Sequence, residues 1–472
     1  MTAPPDHDEH PHVTRRIDAA GLADAAQSIA PASILLSGPT QATPSGHIWG
    51  EGKVLAVGTP AEIDAHPAAA GAHRISRPRA VLIPALANAH THLDLTHIGP
   101  VPHDPAAGFV SWVNRLRAAR RSDAEGVADS VALGAALARR AGVMAVGDIA
   151  GALNAQASLF AAQGLAETKL AGTPHLEAFA LGTRTEQSLA ALETAIAEAL
   201  DQDATRSIVG ISPHAPYSVS IPSYLRMLDL AAEHDLRVHT HLAETPEERQ
   251  FISTGTGPNR DMLESLGIWS DNELAHLGRT TDPVLHLEPV LRRAAELGVP
   301  MACAHVNDCS DAAIELLAET SAHVVYCPRA SAYFAAESHF GPHRYRDMLA
   351  AGVRVSLGTD SILNLPADTP SRGMSTLDEA RLLFGRAGSA TPHAQALLAM
   401  ATSSAADAIG LDPRAFTLAQ GTAPAGVLAV DITSDASKPP AAAANPAAAV
   451  LAASAIPEVL FARQNHDLPS PI

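Results

Sequence analysis

A chain of 472 residues, 47% of them hydrophobic and 17% charged, has the length for two or more domains and the composition of a globular protein with a large core. Its formal net charge of -18 argues against unaided binding to nucleic acid or to an anionic membrane, both of which would repel it, and directs attention to small molecules. The three cysteines, Cys303, Cys309 and Cys327, are too few and too scattered for a disulfide framework or a four-thiolate metal site, which fits a reducing cytoplasm.

Residues 1–30 are rich in Pro, Asp, His and Ala without a clear period and read as a flexible, peripheral segment, with acids where an export signal would carry basic residues. Short strands are predicted at 33–36, 47–48 and 54–57, and near the other end at 427–432 and 458–463. Neither group can hold a core of its own. Residues 31–80 and 415–472 are therefore expected to meet in one small β-sandwich domain. The low-charge tract 439–461 reads as a linker and a short strand, because its prolines break any membrane-spanning helix.

Between the ends, over 81–414, apolar runs recur at 81–89, 142–149, 175–181, 207–211, 237–241, 301–305, 323–327 and 353–358. Helical spacing fills 124–141, 186–200, 222–232, 311–320 and 345–351. Eight such alternations predict an α/β fold with a closed (β/α)8 barrel of the TIM type. The alternative, an open doubly wound sheet, lacks the Gly-x-Gly-x-x-Gly turn after its first strand.

Polar residues stand at the predicted strand ends: His90 and His92, Asp148, Glu177, His214, His239 and His241, His305 and Asp360. Residues i and i+2 of a strand share a face, so His90 and His92 can reach one ion, and barrel strand ends converge on one mouth. His90, His92, His241 and Asp360 would offer a divalent metal three nitrogens and one oxygen, leaving a position for water. His305 would orient or deprotonate that water together with Asp360, or be a satisfied core histidine. Glu244, three residues after His241, suits general acid-base work, or is a helix N-terminal acid. A two-metal site needs a bridging ligand, often a modified lysine at the fourth strand end. Lys53, Lys169 and Lys438 do not lie there, and His214 does, so one ion is expected, zinc before ferrous iron.

The set NAHTHLD, SPHAPYS, HTHLAET, the strand-end His305, VVYCPRAS and LGTDS, in order across residues 32–430, resembles the metal-dependent amidohydrolase superfamily, in the branch of cytosine deaminase, chlorohydrolases and adenosine-type deaminases. The resemblance implies a (β/α)8 barrel with a small β-sandwich from both chain ends. It also implies His90, His92, His241 and Asp360 as metal ligands, Glu244 as proton shuttle, His305 as the group polarising the attacking water, and His214 as a substrate contact. Ala85, Val306 to Cys309, Tyr326 and Ala330 depart from the usual pattern and bear on substrate choice.

The segment GFVSWVNRLRAARR puts Phe109, Trp112 and Leu116 on one helical face with Arg115, Arg117, Arg120 and Arg121 nearby. It is either a helix packed on the barrel with a solvated basic face or an aromatic platform and guanidinium for a planar, anionic substrate. FVSWV and CPRASAYF, the latter with Arg329 and Ser331 as further substrate contacts, resemble bacterial deaminases related to those acting on aminodeoxyfutalosine. The long connection 245–300 resembles loops that cover the site in the same branch. The expected activity is hydrolytic deamination of an adenine-nucleoside-like heterocycle, water at the metal attacking the amine-bearing carbon with loss of ammonia. A triazine-type chlorohydrolase, a formimino deiminase and a catalytically silent binding barrel are the alternatives. A homodimer stays open.

Overall fold

The computed structural model describes residues 14–23, 32–37, 41–42, 48–49, 52–201, 209–369, 373–387, 391–433 and 445–463. The rest of the expected flexible segment, His47, residues 207–208, Lys438 and the start of the expected linker lie outside them. In chain order the strands are β1 (Arg15–Leu22), β2 (Ala32–Ser37), β3 (Gln41–Ala42), β4 (Ile48–Trp49), β5 (Lys53–Gly58), β6 (His73–Pro84), β7 (Leu86–Thr91), β8 (Val143–Ala150), β9 (Ala171–Ala178), β10 (Gly210–Pro213), β11 (Val238–Leu242), β12 (Met301–His305), β13 (His323–Tyr326), β14 (Arg354–Leu357), β15 (Gly426–Asp431) and β16 (Glu458–Ala462). They form two sheets. One, drawn from both chain ends, runs β3-β4-β16-β15-β6-β1-β2-β5, and the other runs in sequence order from β7 to β14.

The second sheet is parallel throughout and closes on itself, which excludes the open doubly wound alternative. At the seam, Asn88 Nδ2 donates to Thr359 Oγ1 at 2.7 Å and Thr359 N donates to Asn88 Oδ1 at 3.0 Å. Asp360 N donates to His90 O at 3.0 Å, and Thr91 Oγ1 to Asp360 O at the same distance. Gly358 permits this approach, because a Cβ there would stand 2.8 Å from His90 Cβ and 2.9 Å from His90 O. Closure therefore brings the last strand's Asp360 beside the first strand's histidines. Helices between the strands surround a core of Val, Leu, Ile and Ala side chains, as the (β/α)8 architecture requires.

Three expectations change. Residues 81–89 are not one strand. Val81 to Ile83 belong to β6, which pairs antiparallel with β15, and the barrel begins at Leu86. Pro84 has no N–H to continue a ladder, and the chain changes partner just after it: Ala85 N bonds Gly426 O, whereas Leu86 N bonds Gly142 O. The expected boundary at residue 81 thus falls inside a strand of the small sheet. Within the expected flexible segment, Arg15–Leu22 is a strand between β2 and β6. Its charges hid it, since Arg16 and Asp18 are buried as a pair at 2.7 Å while Ile17 and Ala19 face the core. In the expected linker, Pro446–Ala452 is a helix, with Asn445 Oδ1 accepting from Ala447 N at 3.0 Å and proline opening the first turn.

The connection from β11 to β12 holds helices Pro246–Thr254, Pro258–Ser265, Pro283–His286 and Glu288–Leu297. Among the described residues, no helix is long and apolar enough to cross a membrane.

Candidate active site

His90 lies at the end of β7 and His92 just past it, His241 is near the end of β11, and Asp360 follows β14. One ring nitrogen each from His90, His92 and His241 lie within 4.8 Å of one another, and His90, His305 and Asp360 form a second such group. Asp360 Oδ1 is 3.3 Å from His92 Nε2 and 3.6 Å from His90 Nε2. Asn364 Nδ2 occupies the other carboxylate oxygen at 2.6 Å, leaving Oδ1 for the centre. His241 Nδ1 donates to His214 O at 3.0 Å, which aims Nε2 inward to within 3.2 Å of His92 Nε2.

These side chains fit a cation better than they fit one another. His90 Nε2 and both nitrogens of His305 are buried with no hydrogen-bond partner among the described residues, an arrangement that costs about 1–3 kcal/mol per polar group if nothing occupies the space between them. Burial and the neighbouring histidines push the His241 imidazole well below its ordinary value and burial lowers His90, so both stay neutral with lone pairs available. Burial alone would raise the Asp360 carboxyl, but the close His90 and His92 imidazoles and the charge on His92 hold it well below the usual carboxylate range. Three imidazoles and a carboxylate are a donor set that could hold a divalent metal ion. The backbone is strained around it, with positive φ at Ala243 (54°), His305 (73°), Val306 (51°) and Asp360 (54°). Each such residue costs on the order of 1–3 kcal/mol, and residues of this kind gather at functional sites.

Glu244 is buried, with Oε1 3.6 Å from His305 Nε2. It is not a helix N-terminal acid, because the next helix starts at Pro246 behind an N-cap at Thr245, and the acids of its first turn are Glu247 and Glu248. Glu248 turns back instead, its carboxylate accepting from Ala243 N at 2.8 Å and Glu244 N at 2.9 Å. Asn307 Nδ2 donates to Glu244 O at 3.0 Å, and Ser331 Oγ donates to Asn307 Oδ1. Burial, then the charges of Asp360, Glu248 and Glu247, push the Glu244 carboxyl well above its ordinary value. Burial lowers the His305 imidazole to about 3. A carboxyl with a raised pKa and a neutral imidazole therefore face each other beside the candidate metal ligands.

A cavity of about 940 Å³ opens over this centre, and His92, His214, His241, Glu244 and Asp360 form its floor. Phe109, Trp112, Phe179 and Tyr217 form aromatic walls, with Phe109 and Trp112 stacked at 5.6 Å. Met262, Leu263, Leu266 and Ile268, from the connection after β11, border it. His214 Nδ1 pairs with Ser218 Oγ at 2.7 Å, and His214 Nε2 is 4.0 Å from Glu177 Oε1.

Three expected substrate contacts lie elsewhere. Arg115 is exposed, with Nη2 3.2 Å from His103 Nδ1. Arg329 is held by Glu379, Nη1 to Oε1 2.8 Å, and borders a different pocket. Ser331 is buried against Asn307 and reaches Glu244 only through it. The arginines that do line the cavity are Arg117, Arg120, Arg121 and Arg184. Arg120 is bonded to the buried Asp94 and stands 4.0 Å from Glu177. Phe179, Tyr217 and Glu248 have no part in the site expected from sequence, although Tyr217 lies in SPHAPYS and Glu248 follows HTHLAET, and Asn307 enters there only within the divergent stretch Val306 to Cys309.

A closed parallel barrel with a candidate divalent-metal site at its strand ends fits the class of metal-binding barrel proteins. Residues 81–448 match the profile of the amidohydrolase family, and the chain belongs to that family. It is 30% identical over 295 residues to the aminodeoxyfutalosine deaminase of Deinococcus radiodurans, a match covering 61% of this chain and 65% of that protein. It is 33% identical over 227 residues to a 5-methylthioadenosine/S-adenosylhomocysteine deaminase of Teredinibacter turnerae, covering 48% and 43%. The chain thus spans less than two thirds of the length of both relatives. Its fold is shared with a zinc-bound adenosine deaminase of Xanthomonas campestris, at a TM-score of 0.65 and 21% identity over 98% of this chain and 95% of that one. It is shared too with the Helicobacter pylori aminofutalosine deaminase in complex with methylthio-coformycin, at 0.69 and 17% over 94% and 98%.

Proposed function

We propose that the protein is a hydrolytic deaminase holding one zinc ion through His90, His92, His241 and Asp360, and acting on an adenine-nucleoside-like substrate, aminodeoxyfutalosine being the first to test. The observation that carries this reading is the buried Glu244 carboxyl, raised well above its ordinary value, which lines the floor of an aromatic-walled cavity with the His305 imidazole 3.6 Å behind it. Zinc in this ligand set would acidify a water molecule into the neutral range. Glu244 then moves a proton to the ring nitrogen of the substrate and afterwards to the departing ammonia, general acid-base work for which a raised carboxyl is suited. His305 keeps the attacking oxygen in place, and His214 faces the heterocycle from the cavity floor.

The aromatic walls suit a planar ring, and Arg117, Arg121 and Arg184, all exposed at the rim, suit an anionic group carried away from the reacting carbon. The names of the two relatives support the adenine-nucleoside class. The free cysteines, two of them buried, support a cytoplasmic location. The test is ammonia release from a panel of amino-substituted purines, pyrimidines and triazines by the zinc-loaded protein, with adenine nucleosides expected to lead. Chloride release from triazines, or no turnover of any member, would overturn the reading.

A further inference from the structure

Inside the barrel, below the metal ligands, His90 Nδ1 lies 3.0 Å from His239 Nε2, with the two ring planes 18° from parallel. Both residues are fully buried. His239 stands on β11 two residues before His241, so one strand face carries both a metal ligand and this neighbour.

A 3.0 Å contact between two ring nitrogens holds a single proton, and its owner decides what His90 can do. With the proton on His239 Nε2, neutral His90 would be protonated at Nε2 and closed to a metal. With the proton on His90 Nδ1, the unpartnered Nε2 presents its lone pair to the centre. We infer that His239 is a positioning residue of the metal centre, accepting the His90 Nδ1 proton and thereby fixing the ring and tautomer in which Nε2 faces the ion. The assignment rests on the metal-site reading above and is independent of the substrate. His241 is held in the same manner by a backbone carbonyl, His214 O. For His90 no carbonyl or carboxylate plays that part among the described residues, and an imidazole stands there instead.

The barrel interior is shaped to hold this ring. His175 packs beneath His239 with 5.1 Å between ring centroids. At Gly210 a Cβ would stand 2.4 Å from His175 Cδ2, so glycine leaves the space that the lower ring fills.

The test compares His239→Leu with His239→Gln, whose amide oxygen can still accept a hydrogen bond. Zinc affinity of each metal-free protein is measured by competition with a chromophoric chelator, and thermal unfolding of the metal-free proteins is followed in parallel. Outer hydrogen-bond partners of metal ligands typically contribute about 10- to 100-fold in affinity. His239→Leu should lose that much, and His239→Gln should recover most of it. Wild-type affinity in a folded Leu variant, or equal losses in both variants, overturns the assignment and leaves His239 a packing residue. Should the Leu variant not fold, nitrogen NMR of the metal-free wild type labelled at histidine decides. His90 protonated at Nδ1 supports the assignment, and His90 protonated at Nε2 overturns it. Failure of the wild type to bind zinc would instead overturn the metal site itself.

Discussion

Replacing Glu248 by Gln tests how the proposed proton shuttle, Glu244, is held, because this fully buried carboxylate anchors Ala243 N and Glu244 N at 2.8 and 2.9 Å. Burial raises the Glu248 carboxyl from 4.5 to about 7, against the two backbone hydrogen bonds that lower it. Its folded value therefore lies above its unfolded one, and between 4.5 and 7 the folded state binds a proton that the unfolded state releases. The associated stability is fully present below pH 4.5 and is lost as pH rises through 7. At ~1.36 kcal/mol per pH unit, the loss is about 3 kcal/mol. Glutamine does not titrate, but its NH2 faces one of the two backbone donors and leaves it unpaired, costing about 1–3 kcal/mol at every pH. At pH 5 the variant should therefore be the less stable protein, and by pH 8 the gap should close or reverse. The assay is urea unfolding of both metal-free proteins at pH 5, 6, 7 and 8. A wild-type-minus-variant difference that does not change with pH would refute the argument. The variant should also turn over about 10- to 100-fold more slowly, because Glu244 loses a backbone anchor at the distance where small misplacements are costly.

What could be read from the sequence, and what could not, follows from the range of the interactions involved. The clustering of the candidate metal ligands was legible because each stands at the end of an apolar run, and strand ends in a barrel converge whatever the loops do. The partner switch after Pro84 was not, since Val81 to Ile83 and Leu86 to Ala89 are equally apolar and only the strand beside each tells them apart. Helical spacing drew Arg115 toward Trp112, yet the helix Phe109–Ala119 ends before Arg120, whose extended backbone carries the guanidinium inward to Asp94. Periodicity cannot extrapolate past a helix end. Arg329 was misplaced for another reason: its partner Glu379 lies fifty residues on, in the helix Thr376–Ala387. The groups holding the backbone at Glu244, namely Glu248 and Asn307, act through backbone hydrogen bonds, which leave no pattern in the sequence.

Elemental analysis of the reconstituted protein should give close to one transition-metal ion per chain, and chelation should abolish turnover; two tightly held ions would show that Glu177 and His214, which lie within ligand distance of His241, form a second site. Glu244→Gln should retain the metal and lose about 10² to 10⁴ in turnover, and near-normal turnover would move the proton shuttle elsewhere. His305→Ala should lower the rate severely while metal affinity falls less than in His241→Ala, and the reverse order of metal loss would exchange their roles. Trp112→Ala tests where substrate binding energy is used. Trp112 is buried at the cavity wall, stacked on Phe109 and edge-on to Phe334 at 5.1 Å, so its loss removes aromatic contacts each contributing about 0.5–1.5 kcal/mol. If the substrate's remote group rests there and near the rim arginines, its binding holds the ring over the metal, so an adenine nucleoside lacking a distal carboxylate should lose kcat as well as affinity. In the wild type, kcat/KM should therefore be higher for the carboxylate-bearing nucleoside, and in Trp112→Ala that advantage should shrink by about tenfold, since ~1.4 kcal/mol is a factor of ten. Equal kcat/KM for the two nucleosides in both proteins would make Phe109–Ala119 a packing helix with a solvated basic face, and would leave Met262, Leu263, Leu266 and Ile268 as the remaining wall that could choose the substrate.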